Sequence, residues 1–161
     1  MKSSIIRLCI LAFAMCIIQS CGGDDPDPDP IKTPEQIATE ALTGTGTQTW
    51  GVDGGGSVLR DGTAVTDLYS GFELVLTSGS SKTYTSKNNN DIFDASGSWS
   101  FAGTNFDKFM LSGTKPAAGR EISFTQTNSN LTLTFTIPAP GARVNGVLAV
   151  AGNYTFNLLK K

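Results

Sequence analysis

Leu131, Leu133, Phe135 and Ile137 alternate with Thr132, Thr134 and Thr136. A strict period of two sets successive side chains on opposite faces, so this segment reads as a strand with one apolar and one polar face. The same alternation recurs along most of the chain after Thr45. Phe72, Leu74 and Leu76 share a face, as do Trp99 with Phe101, Phe109 with Leu111, and Ile122 with Phe124. Tyr154, Phe156 and Leu158 form the last set. Asp61-Gly62 between Ser57–Arg60 and Thr63–Asp67 is a two-residue hairpin signal. Pro138-Ala139-Pro140-Gly141 must be a loop, because proline cannot donate to a strand ladder.

This pattern predicts an all-β domain of eight or nine strands in an antiparallel meander. One face is apolar and the other is rich in Thr, Ser and Asn, as antiparallel strands with one wet face require. A single open sheet would expose the apolar face, so the strands close into a barrel or pack as a two-sheet sandwich. One short helix precedes them. Thr33-Pro34-Glu35-Gln36 carries a capping box with proline at the first helical position. Ile37 with Ala41 and Ala38 with Leu42 share faces, and Gly44 ends the helix after Leu42. Leu133, Phe135, Phe124, Trp99 and Phe156 are the expected core.

The first 30 residues differ in kind. Met1–Arg7 carries Lys2 and Arg7, and Leu8–Ile18 is an unbroken apolar run. Eleven residues cover about 16 Å as a helix, roughly half a bilayer core, which suits a signal peptide and not a transmembrane span. Ile18-Gln19-Ser20-Cys21 then resembles the lipobox of bacterial lipoproteins, although Gln19 replaces the small residue usual at its position. The expected layout is a signal peptide over 1–20, a lipidated Cys21 with an Asp/Pro tether over 21–30, and a single β domain over 31–161. Alternating Asp and Pro from Asp25 to Pro30 favours an extended, self-repelling spacer. Gly22 lacks the Asp that retains enterobacterial lipoproteins in the inner membrane. Asp24-Asp25 resembles the surface-export signal of Bacteroidota lipoproteins. The resemblance implies a protein anchored by acyl chains in the outer membrane and exposed at the surface.

Within the domain, a helix followed by Leu42-Thr43-Gly44, a central Gly97-Ser98-Trp99-Ser100-Phe101 and a closing Gly152-Asn153-Tyr154-Thr155-Phe156-Asn157-Leu158 resemble the small lipocalin-like lipoproteins of Bacteroidota. Trp50 in Gly46-Thr47-Gln48-Thr49-Trp50 lies later in the first strand than the Gly-x-Trp of that family. The resemblance implies a barrel-like fold at the surface or in the periplasm, and no known reaction.

Composition narrows the chemistry. Of 14 acids and 12 bases, four acids lie in the tether and two bases in the leader, which leaves ten of each in the domain. Clustered positive charge is missing, so no nucleic acid is expected as a partner. There is no histidine, and the three cysteines, Cys9, Cys16 and Cys21, all precede the domain. The commonest general base, the commonest transition-metal ligand and the thiol nucleophile are therefore all missing. No cofactor, no metal and no enzymatic activity are expected.

Several segments invite a functional reading. Asp53-Gly54-Gly55-Gly56-Ser57 lacks the Gly-Lys-Ser/Thr and helix of a phosphate loop and reads as a flexible hairpin connection. Asn88-Asn89-Asn90-Asp91 with Asp94 gathers hard oxygens that calcium favours, but Asn and Asp also simply make turns, and that is the expectation. Among Trp50, Tyr69, Tyr84, Trp99 and Phe106, Trp99 reads as core. Trp50, Tyr69 and Tyr84 lie beside Gly- or Ser-rich turns and are the candidate ligand contacts. Asp67, Glu73 and Glu121 are the acids that a glycosidase pair would draw on, and the expectation is solvation on the wet face. The leading function is a non-catalytic binding module for a glycan, a small apolar ligand or a protein. The runner-up is a structural component of an envelope complex with no small-molecule site.

Overall fold

A computed structural model describes residues 31–139 and 150–161. The β domain spans Lys32–Lys161. Cys21, the leader and the tether, together with Pro140 and Gly141 of the expected proline loop, lie outside the described residues.

The helix, α1, is Pro34–Thr43. Its capping box forms as expected: Gln36 N–H donates to Thr33 Oγ1 at 3.2 Å, and Thr33 N–H donates to Gln36 Oε1 at 2.8 Å. At the other end Gly44, at φ 58°, donates its N–H to the Glu40 carbonyl at 2.8 Å. Only the last turn is buried, through Leu42 and Thr43. Ile37 is 57% exposed, because the helix rests on the strands by its C-terminal turn.

Ten strands follow among the described residues: β1 Thr47–Gly51, β2 Ser57–Arg60, β3 Thr63–Ala64, β4 Glu73–Ser78, β5 Lys82–Lys87, β6 Ser96–Phe101, β7 Lys108–Leu111, β8 Ile122–Thr127, β9 Asn130–Ile137 and β10 Gly152–Lys160. Eight of them, in the order β1-β4-β5-β6-β7-β8-β9-β10, form a closed antiparallel barrel in which β1 also pairs with β10. This resolves barrel against sandwich. The count exceeds the expected eight or nine because β2 and β3 add a small flap beside β10.

Ring closure depends on a break in the first strand. Gly51 pairs with Leu159, and Ser57 pairs with Asn157. Residues 52–56 therefore face a single residue, Leu158, of β10. This is a large bulge, which bends the strand and increases its twist. The glycine run is thus a kink between two strands on the same edge, not the hairpin connection expected from composition. Gly56 sits at its tightest point. A Cβ there would lie 2.7 Å from the Asn157 carbonyl oxygen and 2.8 Å from Val52 Cα. The true hairpin is β2–β3, where Asp61 (φ 50°) and Gly62 (φ 79°) make the expected primed turn. Its second strand stops at Ala64, and a 3-10 helix over Thr66–Tyr69 replaces the expected continuation to Asp67.

The apolar sets meet inside the ring. Trp50 lies opposite Leu74, Leu76 opposite Tyr84, Trp99 opposite Leu111, and Phe109 opposite Ile122. Leu133 lies between Phe124 and Phe156. Leu133, Phe135, Trp99 and Phe156 are buried as expected. Phe124 is only half-buried, because it sits near the end of the ring, where β8 has run past its short pairing with β7.

Aromatic rings fill one end. Tyr69 and Phe72 each lie 5.1 Å from Phe156, Phe93 lies 5.6 Å from Phe135, and Phe135 stacks on Tyr154 at 5.4 Å. Such contacts add about 0.5–1.5 kcal/mol each to the burial of the rings. Ile92 and Phe93 close this end from the Asn-rich loop. At the other end α1 delivers Leu42 to the core.

Candidate functional site

The three aromatic residues singled out from sequence are not an exposed platform. Trp50, Tyr69 and Tyr84 are 1%, 1% and 2% exposed, and all belong to the core. Adjacent turns suggested exposure, but each side chain is turned inward by its place in the fold. Trp50 Nε1–H donates to the Leu42 carbonyl at 2.8 Å. The Tyr84 hydroxyl donates to the Ser112 carbonyl at 2.7 Å. Burial pushes the Tyr69 phenol well above its usual pKa, and the Tyr154 hydroxyl beside it adds to the rise. Of the other candidates, Trp99 is core, with its Nε1–H on the Thr77 carbonyl at 3.0 Å. Phe106 is half-buried and packs edge-on against Phe101 at 5.3 Å.

The Asn88–Asp94 segment is a chain of turns whose two carboxylates, Asp91 and Asp94, are already engaged. Asn88, Asn90 and Asp91 take positive φ, as Asn and Asp tolerate. Asp94 accepts from the backbone N–H groups of Thr114 and Lys115, both at 2.9 Å, and from the Thr114 hydroxyl at 3.1 Å. Burial raises its carboxyl pKa, and these donors outweigh that and hold it below the usual range. Asp91 pairs with Lys115 at 2.8 Å. No cluster of three or more potential metal ligands occurs among the described residues.

Of the acids named as a possible catalytic set, Glu73 and Glu121 are held in separate ion pairs. Glu73 and Asp53 both receive Lys161 Nζ at 2.9 Å, and both carboxyls are lowered chiefly by that hydrogen bond. Glu121 pairs with Lys108 at 2.9 Å and raises the pKa of that ammonium. Asp67 stands exposed in the 3-10 helix.

Among the described residues, two of the clefts on the outside of the domain bear on function. A groove of about 650 Å³ runs between α1 and the strand ends, lined by Thr39, Thr45, Gly46, Ser78 and the acids Glu35 and Glu40. Both acids are paired, Glu35 with Lys82 at 2.6 Å and Glu40 with Lys32 at 2.7 Å. The Lys82 ammonium also lies 4.9 Å from the Phe101 ring centre, so it joins α1 to the barrel by charge and by cation–π attraction.

The second cleft, about 420 Å³, lies on the wall made by β7 to β10. Its floor is a row of side chains in register. Lys108 faces Ser123, Ser123 faces Thr134, and Thr134 faces Thr155 across four strands. Arg120 and Glu121 stand at the Lys108 end of the cleft. The alternation of Thr with apolar residues marked these strands as half wet. It did not reveal this row, because cross-strand register depends on pairings between distant residues.

Comparison of the chain with protein-family models, with curated proteins and with solved structures finds no match.

Proposed function

We propose that this chain is a lipoprotein anchored through Cys21 in the outer membrane and exposed at the cell surface, where it binds a partner through its outer wall without catalysis. The leader and the Ser20-Cys21 junction support the anchor. The closed barrel with one short N-terminal helix supports kinship with the lipocalin-like lipoproteins of Bacteroidota. The observation that carries the mode of binding is the packed interior. Trp50, Tyr69, Phe72, Phe93, Phe109 and Phe156 are fully buried and meet in one core. A small apolar ligand would have to displace these rings, so recognition falls to the polar exterior. A glycan or a protein fits that exterior. The ion-paired state of Glu73, Asp53 and Glu121, and a domain without histidine or thiol, support a role without chemistry.

The test has two arms. Cys21→Ala should leave an unlipidated, uncut or mislocalised precursor. A fluorescent fatty acid should fail to enter the folded chain. Unchanged processing in the variant, or saturable uptake of the fatty acid, would refute the corresponding half of the reading. The filled interior equally favours a structural component of an envelope complex. Stable co-purification in fixed stoichiometry, with no saccharide bound, would select that role.

A further inference from the structure

We infer that the cleft on the β7–β10 wall is a saccharide site that takes a carboxylated sugar, an inference that rests on the outer-wall reading above. The key is a difference between neighbouring rows of side chains on this wall. In one flanking row Thr132 donates to Asn157 at 3.1 Å, and Asn157 donates to Ser57 at 3.0 Å. In the other, Thr136 donates to Asn153 at 2.7 Å, and Asn153 donates to Asp61 at 3.1 Å. Over β9 and β10 both rows are closed by these bonds. Between them runs the row Ser123–Thr134–Thr155, whose three hydroxyls have no side-chain partner among the described residues. Ser123 and Thr155 are half-buried, Thr134 between them is exposed, and the cleft lies over all three.

A hydroxyl is both donor and acceptor, so a row of three suits a ligand that presents the same dual groups at short intervals. Adjacent strands lie about 4.8 Å apart, so the row spans about 10 Å, the reach of a short saccharide. The charge lies at one end. Lys108 and Glu121 neutralise each other at 2.9 Å, whereas the Arg120 guanidinium is exposed and makes no side-chain bond among the described residues. A planar guanidinium with free donors matches a carboxylate in a two-point pair. A phosphate would call for more than this one uncommitted cation. A neutral chain would leave it idle.

The full chain in detergent micelles should be titrated with hexagalacturonate and with neutral galactohexaose, following binding by calorimetry and by amide shifts. The expected result is tighter binding of the carboxylated hexamer, with shifts centred on Ser123, Thr134 and Thr155. Arg120→Gln should weaken hexagalacturonate by about tenfold or more and leave galactohexaose unchanged. Thr134→Val, which keeps the shape and removes the hydroxyl, should weaken both by about two- to tenfold. Thr132→Val, in a row already closed, should not change binding. Equal affinity for the two hexamers would overturn the charge assignment. Binding untouched by Thr134→Val would overturn the site. Binding of neither hexamer would overturn the inference while leaving the outer-wall reading to the anchor and fatty-acid tests.

Discussion

Trp50 and Leu42 are joined by a buried hydrogen bond, indole N–H to main-chain carbonyl, at 2.8 Å. The carbonyl belongs to the last turn of α1, where the helix itself provides no donor. One side chain of the barrel core therefore completes the helix end, and the helix in turn covers the ring above Trp50.

Trp50→Phe tests that joint. It keeps an aromatic ring in the core and removes the donor. The buried Leu42 carbonyl would be left without its partner, at a cost of about 1–3 kcal/mol. Urea unfolding should show a lower midpoint with an unchanged slope. An unchanged midpoint would mean that water replaces the indole at no cost.

Phe135→Ala tests the aromatic core. Phe135 stacks on Tyr154 and lies 5.8 Å from Phe156, with 6% of its surface exposed. Truncation should cost about 3–5 kcal/mol, measured by the same unfolding experiment. A loss under about 1 kcal/mol would place Phe135 outside the cooperative core.

A pair of glycine substitutions separates the bulge from an ordinary turn. Gly56→Ala drives a methyl into the main chain of Asn157 and Val52, which cannot rotate away. A loss of about 1–3 kcal/mol is expected. Gly79→Ala meets nothing within 4 Å and should be neutral or slightly stabilising. Equal effects at the two sites would contradict the tight packing of the bulge.

Two groups of opposite sign should shape the pH dependence of stability. The Asp53 and Glu73 carboxyls are lowered by Lys161, so their contribution is present above about pH 4 and is lost as pH falls through the lowered folded values. The Tyr69 phenol is raised by burial, so its contribution is present below about pH 10 and is lost as pH rises past that point. Lys161→Met should flatten the acid limb and return the Glu73 titration, followed by NMR, to the usual carboxylate range. Tyr69→Phe should flatten the alkaline limb. Acid and alkaline limbs unchanged by these variants would show that other groups control them.

Asp94→Ala should loosen the turn it holds without involving any ion. Its carboxylate gathers three donors from Thr114 and Lys115, so amide exchange at both residues should accelerate in the variant. Calcium should leave the melting temperature of the parent chain unchanged. A calcium-dependent rise that disappears in Asp94→Ala would instead make this loop a cation site.

Local and period-two information carried much of the fold. The capping box of Thr33 and Gln36, the primed turn at Asp61-Gly62 and the inward sets around Leu133 and Phe156 were all legible, because each depends on residues close in sequence. Three things were not. Trp50, Tyr69 and Tyr84 border flexible turns, and nothing local distinguishes a ring that turns outward from one that caps a barrel. The glycine run looked like a hairpin because its role depends on Leu159 and Asn157, about a hundred residues away. The unpaired hydroxyl row depends in the same way on the register of β8, β9 and β10. Phe93 shows the cost of reading by composition: inside an Asn-rich turn it serves the core.

The closed ring also governs how copies of this chain tolerate crowding. Among the described residues every ring strand has a neighbour on both sides, and the strand with one whole edge free, β3, is two residues long. Recruiting another molecule by edge-to-edge pairing needs a longer ladder of unpaired main-chain groups than β3 presents. Contact between copies of this chain therefore runs chiefly through side chains, because among the described residues only short stretches of main chain, such as the end of β8 beyond its pairing with β7, are left open to a new strand.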